Sequence, residues 1–184
     1  MQETVLSPLA AWQTFYVIVG TAAATLTGLM FVVITMIASV RMRVSLPGNG
    51  VGIFNTPNVV HLCTALLIAA LLCAPWQTIW HVSMLLGIMG FGGMAYVVFI
   101  IWQIRHQTTY QPVLEDWLWH TILPFVSYTA LLVAALLLTG NPTLALFVIA
   151  AATLLFLFIG IHNAWDNIIY AATELSRPRN QDQG

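Results

Sequence analysis

The sequence predicts an all-α, polytopic membrane protein. Five transmembrane helices form a single domain over residues 1–175, with the N-terminus outside and the C-terminus inside. Three observations predict this. First, 60% of the 184 residues are hydrophobic and only 6% are charged, against roughly 25% charged in an ordinary soluble domain. Second, Asp, Glu, Arg and Lys are missing from three long stretches, 4–40, 44–104 and 117–165. Third, the chain has no Lys, and its five basic residues are Arg41, Arg43, Arg105, Arg177 and Arg179. With the N-terminus outside, an odd number of spans delivers all five to the cytoplasmic side, the asymmetry that sets orientation. The same composition argues against a soluble fold, a disordered chain, a disulfide-stapled domain, and partnership with nucleic acid through a basic patch. The partner it implies is the lipid bilayer.

A span needs about 20 mostly apolar residues, so the first stretch holds one helix, and the second and third hold two each. Helix 1 is expected over roughly 10–40, after Ser7-Pro8. Thr56-Pro57, Gln111-Pro112 and Asn141-Pro142 repeat the pattern of a polar residue before Pro, a helix-start signal because Pro at the first helical position forgoes no needed N–H. Helix 2 then covers roughly 57–75 and ends at Ala74-Pro75, where the ring cannot continue the ladder. Helices 3, 4 and 5 are expected over roughly 83–105, 115–138 and 143–165, the last continuing to about Leu175, with residues 176–184 as a disordered tail. Trp12, Trp76 and Trp80 fall at one set of helix ends, and Trp102, Trp117, Trp119 and Trp165 at the other, as amphipathic indoles do at the two interfaces. Met1-Gln-Glu-Thr has no basic region before the apolar run, so a secretory signal is not expected. Cys63 and Cys73 share one helix ten positions apart and read as small residues of the membrane core, not as a disulfide.

Helix 1 carries a polar stripe. Positions 14, 18, 21, 25, 28, 32, 35 and 39 are Thr, Ile, Thr, Thr, Gly, Val, Thr and Ser, and steps of four and three lie along one face. Gly20, Ala24 and Gly28 overlap it as a small-xxx-small series. The stripe is expected to pack against other helices of the same chain, with Gly28 facing a neighbour. A homo-oligomer seam and a water-lined path are the alternatives. Helix 3 carries Gly87, Gly90 and Gly93 and is expected to dock on helix 1. Gly90-Phe-Gly-Gly93 lies within a membrane helix, so it is no phosphate loop, and no nucleotide site is expected.

Ionisable residues in membrane segments are functional candidates. His61 lies near the start of helix 2, His120 near the start of helix 4, and His162 near the inner end of helix 5, four positions before Asp166 and so on its face. Asn163, Asn167, Tyr170 and Glu174 extend that polar face. Pro124 removes the helix bond to the carbonyl of His120. Three imidazoles and a carboxylate make a candidate set for a divalent metal such as zinc; iron or copper also accept imidazole, and two histidines suffice for a haem. The set is expected to converge near the inner face. The alternative is that each histidine reaches to water or caps a helix end. His81 and His106 are expected to stand apart from it.

The segments Ala24-Thr-Leu-Thr-Gly-Leu-Met-Phe-Val32, Thr56-Pro-Asn-Val-Val-His61, Asp116-Trp-Leu-Trp-His120 and Gly160-Ile-His-Asn-Ala-Trp-Asp166 together resemble a group of small bacterial inner-membrane proteins. The resemblance implies a bacterial inner-membrane location and no particular chemistry. The three-His-plus-Asp set is also similar to that of the zinc-dependent membrane hydrolases of the ceramidase and adiponectin-receptor type. Those have seven helices and differently spaced His motifs, so no catalytic role is carried over. Two function classes follow. One is a non-catalytic membrane protein (channel, small-solute transporter or accessory subunit) that self-associates. The other is a metal-dependent membrane enzyme acting on a lipid or amphiphile, with Asp166 orienting a ligand or serving as general base beside Glu115 and Asp116. A haem-binding electron carrier is a third possibility.

Overall fold

A computed structural model describes residues 8–44, 51–105 and 117–176. Gln111-Pro112, His106, Glu115, Asp116 and the expected tail after Ser176 lie outside the described residues. The described residues are helical without strands. A short 3-10 turn, Ala10–Trp12, leads into α1, Gln13–Val44. There follow α2, Val51–Cys73, and α3, Ile79–Arg105. A π-helical turn, Leu118–Ile122, leads into α4, Leu123–Leu137, and α5 runs Pro142–Ser176. Four stretches are long and apolar enough to cross a membrane: Ala10–Met36, Ile79–Trp102, Leu118–Leu137 and Pro142–Asp166. In α2 the apolar run Asn58–Cys73 is shorter.

Local chemistry sets these boundaries. α2 stops one residue before Ala74-Pro75. The α4–α5 turn closes with Gly140 N–H and Asn141 N–H both donating to the carbonyl of Leu137. Asn141 then caps α5, its Oδ1 accepting from Leu144 N–H at 3.2 Å, with Pro142 at the first helical position. Two expected starts are corrected. α2 begins at Val51 and runs through Thr56-Pro57, so that pair is not a helix start. The helix runs on through Pro57 although, as its seventh residue, Pro57 supplies no N–H to the carbonyl of residue 53. α3 begins at Ile79, not near residue 83.

Side-chain contacts fix how the helices run. Cys73 Sγ reaches the carbonyl of Gln13, joining the end of α2 to the start of α1. Trp12 packs edge-on to Phe147, with ring centroids 4.8 Å apart, joining the start of α1 to the start of α5. Ser83 Oγ donates to the carbonyl of Ala135, joining the start of α3 to the end of α4. Neighbours therefore alternate in direction. One end of the bundle, the turn end, carries both tight connections; the other is the far end. The packing order is α1, α2, α5, α4, α3, with each helix against the next. The core between them holds Tyr16, Ile68, Leu72, Tyr128, Leu131, Ile149 and Phe156, all essentially fully buried. Large apolar side chains also point outward from every part of the bundle, among them Ile18, Phe91, Leu136, Phe147 and Trp165. An outer surface this apolar suits lipid as the solvent.

The helix-packing expectations fail in an informative way. α3 docks on α4, not on α1. A Cβ on Gly90 would strike the backbone of Leu132, and one on Gly93 would strike the ring of Tyr128. The polar stripe of α1 faces outward. Thr14, Thr21, Thr25, Gly28 and Thr35 are exposed, and a Cβ on Gly28 would meet nothing. The packed face is instead Tyr16, Val19, Gly20, Ala23 and Met30, with Gly20 against Ala69 of α2. Thr21, Thr25, Thr35 and Ser39 donate to carbonyls three or four residues back on their own helix. A hydroxyl satisfied in this way costs little when turned to lipid, whereas close van der Waals packing drives association inside a membrane.

Candidate functional site

Polar side chains gather in the half of the bundle toward the far end, between α2, α4 and α5. α2 contributes Asn58, His61 and Thr64. Asn58 and His61 are three positions apart and therefore on one face, and both are buried, at 0% and 1% exposure. Tyr128 of α4 leans over Gly93 of α3, which has no side chain to obstruct the ring. Its hydroxyl stands 3.2 Å from Thr64 Oγ1 and 3.4 Å from His61 Nδ1. The Thr64 hydroxyl also reaches the carbonyl of Val60 at 2.8 Å. Phe156 of α5 closes the third side, stacked on His61 with centroids 6.1 Å apart and tilted against Tyr128 at 4.5 Å. His61 is thus held by one hydrogen bond and two aromatic walls.

His120 lies in the π-helical turn, where Leu123 N–H bonds five residues back to Leu118. Pro124 supplies no N–H to the preceding turn, so the local ladder slips by one residue. His120 is partly buried there and lies within electrostatic range of His61. The adjacent Trp119 stacks flat on His162 of α5, with centroids 3.7 Å apart and planes 8° from parallel. His162 Nδ1 stands 3.1 Å from Asp166 Oδ2, across the expected i to i+4 spacing, and the Asp166 side chain is half exposed. The three histidines therefore share one half of the bundle in two groups. His61 lies inside with Tyr128, and His162 lies at the margin with Trp119 and Asp166. Among the described residues, no three His, Cys, Asp or Glu side chains form a group able to hold a metal ion. His81 stands apart at the turn end, its Nδ1 2.7 Å from Thr78 Oγ1.

Asn163 is the other fully buried amide, at 0% exposure. Gly160 of α5 fits directly against Leu62 of α2. Asn58 lies four residues toward the far end from Leu62, and Asn163 lies three residues toward the far end from Gly160. Because α2 and α5 run in opposite directions, both amides belong to the same level of the same interface. Among the described residues neither side-chain amide has a hydrogen-bond partner. Asn58, Thr64 and Tyr128 were not expected members of this site. For Asn58 a signal was available, since its spacing of three from His61 places both on one face. Tyr128 carried none, because an aromatic residue in an apolar helix reads as core.

No protein-family model, curated protein or solved structure matches this chain.

Proposed function

We propose that this chain is a five-span inner-membrane protein, N-out and C-in, that binds and carries a small polar solute and catalyses no reaction. The observation behind this reading is the buried polar layer itself: Asn58, His61 and Asn163 at 0–1% exposure among apolar helices. Burying amides without partners is costly, and polar side chains at membrane depth mark solute and ion pathways. An open pore would leave these side chains wetted. Their complete burial favours a carrier that encloses its cargo over a continuous channel. α2 counts as a span because it runs beside α1 and α5 from Cys73 at the turn end to the Asn58 level. Arg41, Arg43 and Arg105 lie in the last turns of α1 and α3 at the far end, where α5 also ends at Ser176, and Arg177 and Arg179 come next in the sequence; this supports placing that end inside. The bacterial inner membrane follows from the resemblance of the four segments.

Light scattering of proteoliposomes under an osmotic step tests the function. With urea, acetamide or glycerol outside, vesicles holding the protein should re-swell faster than empty vesicles. Identical rates for all three solutes would reject carriage. Elemental analysis of protein purified without chelator should give well under one metal ion per chain. One zinc per chain would instead revive the set His61, His120, His162 and Asp166 as ligands.

A further inference from the structure

We infer that Asn58 and Asn163 are the recognition pair of this layer, forming a site for a small uncharged solute that carries a hydrogen-bond donor and an acceptor, such as a carboxamide or urea. The inference rests on the carrier reading and names its substrate class. Its independent support is the unpartnered state of both amides at full burial. His61 already spends Nδ1 on Tyr128, and Tyr128 spends its hydroxyl on Thr64 and His61. At this level both polar atoms of each amide lack a partner, so the pair together offers two carbonyl acceptors and four N–H donors.

Charge selects the class of guest. α2, over Val51–Cys73, contains no Asp, Glu, Lys or Arg, and α5, over Pro142–Ser176, contains no Lys or Arg and two carboxylates, Asp166 and Glu174. An anion entering here would find no Lys or Arg on either helix to offset its dehydration, and the one carboxylate near the amides, Asp166, is already engaged with His162. A neutral guest sheds fewer hydrogen bonds to water and recovers them from the amides. A purely apolar guest would leave the amides as unsatisfied as before. The guest must therefore donate and accept at once, as a primary amide does when it pairs with another amide. Rejection of a guest lacking the donor is expected to be strong, because a buried carbonyl then stays unpaired.

The test reads binding directly, so it is separable from flux. Saturation-transfer NMR on the full chain in detergent is run with acetamide, and separately with N,N-dimethylacetamide, which keeps the carbonyl and lacks the N–H donors. Wild-type protein should give an acetamide signal about tenfold above that of the methylated amide. Asn58→Leu and Asn163→Leu, each checked for a native thermal transition, should reduce the acetamide signal to that of empty detergent micelles. The comparison of the two solutes needs no variant, so it stands even where a substituted chain fails to fold. Equal signals from the two solutes, or an acetamide signal unchanged in both folded variants, would overturn the inference. So would amide protons that show contacts to water alone. Binding without flux would reject carriage while leaving the amide site in place.

Discussion

Gly93 and Gly28 are both helical glycines, and the bundle treats them oppositely. Gly93 lies under the ring of Tyr128 with no space for a methyl group, whereas Gly28 looks onto open surface. Gly93→Ala should therefore destabilise the protein by about 1–3 kcal/mol, the usual cost of overpacking. It should also push the Tyr128 hydroxyl away from His61. Gly28→Leu should leave the thermal midpoint and the elution volume in detergent unchanged. A loss of stability or of an oligomer in Gly28→Leu would instead mark the α1 stripe as a seam between copies. The sequence showed that both residues belong to small-residue series. It did not show which series packs, because Thr and Ser look polar on paper yet satisfy themselves on their own helix. The histidines were legible as candidates because they are rare in apolar segments. Their division into two groups was not, since it depends on Tyr128 and Trp119, which apolar patterning cannot distinguish from other aromatic residues.

At the scale of the element, the start of α5 is the most sequence-determined feature of the molecule. Asn141-Pro142 marked it, and the cap is present. Asn141→Ala should cost about 0.5–2 kcal/mol, the usual value of an N-cap, while Asn141→Asp should cost much less. Thermal unfolding of the three proteins side by side checks the order. Near Pro57 the same dipeptide logic misled, because a Pro close to the N-terminus of a longer helix leaves the same trace as one that opens a helix. Pro124 marked a disturbance of the ladder around His120. The stacking of Trp119 on His162 that accompanies the slipped turn was not marked, because local spacing does not encode contacts with α5.

At the scale of the whole molecule, the helical character and the long apolar helices of the described residues followed from apolar lengths, while the order α1, α2, α5, α4, α3 did not. Lipid is as apolar as the helix faces, so no hydrophobic gradient in the sequence marks a helix's partner. Orientation is checked by labelling single-Cys variants at Thr78, Asn141 and Ser176 in a chain with Cys63 and Cys73 replaced by Ala. An impermeant maleimide should reach the first two from outside sealed cells and the third only after lysis; labelling of Ser176 on intact cells would contradict the topology. The pairing of α2 with α5 also has a consequence in time. About 100 residues separate Asn58 from Asn163, and at the usual pace of synthesis α2 waits roughly 5–20 s for its partner. During that interval its amide and imidazole have neither Asn163 nor Phe156 to cover them, and α3, already made, still lacks α4. Synthesis thus includes a held pause, in which two helices stand incomplete until the last hairpin arrives and closes both faces.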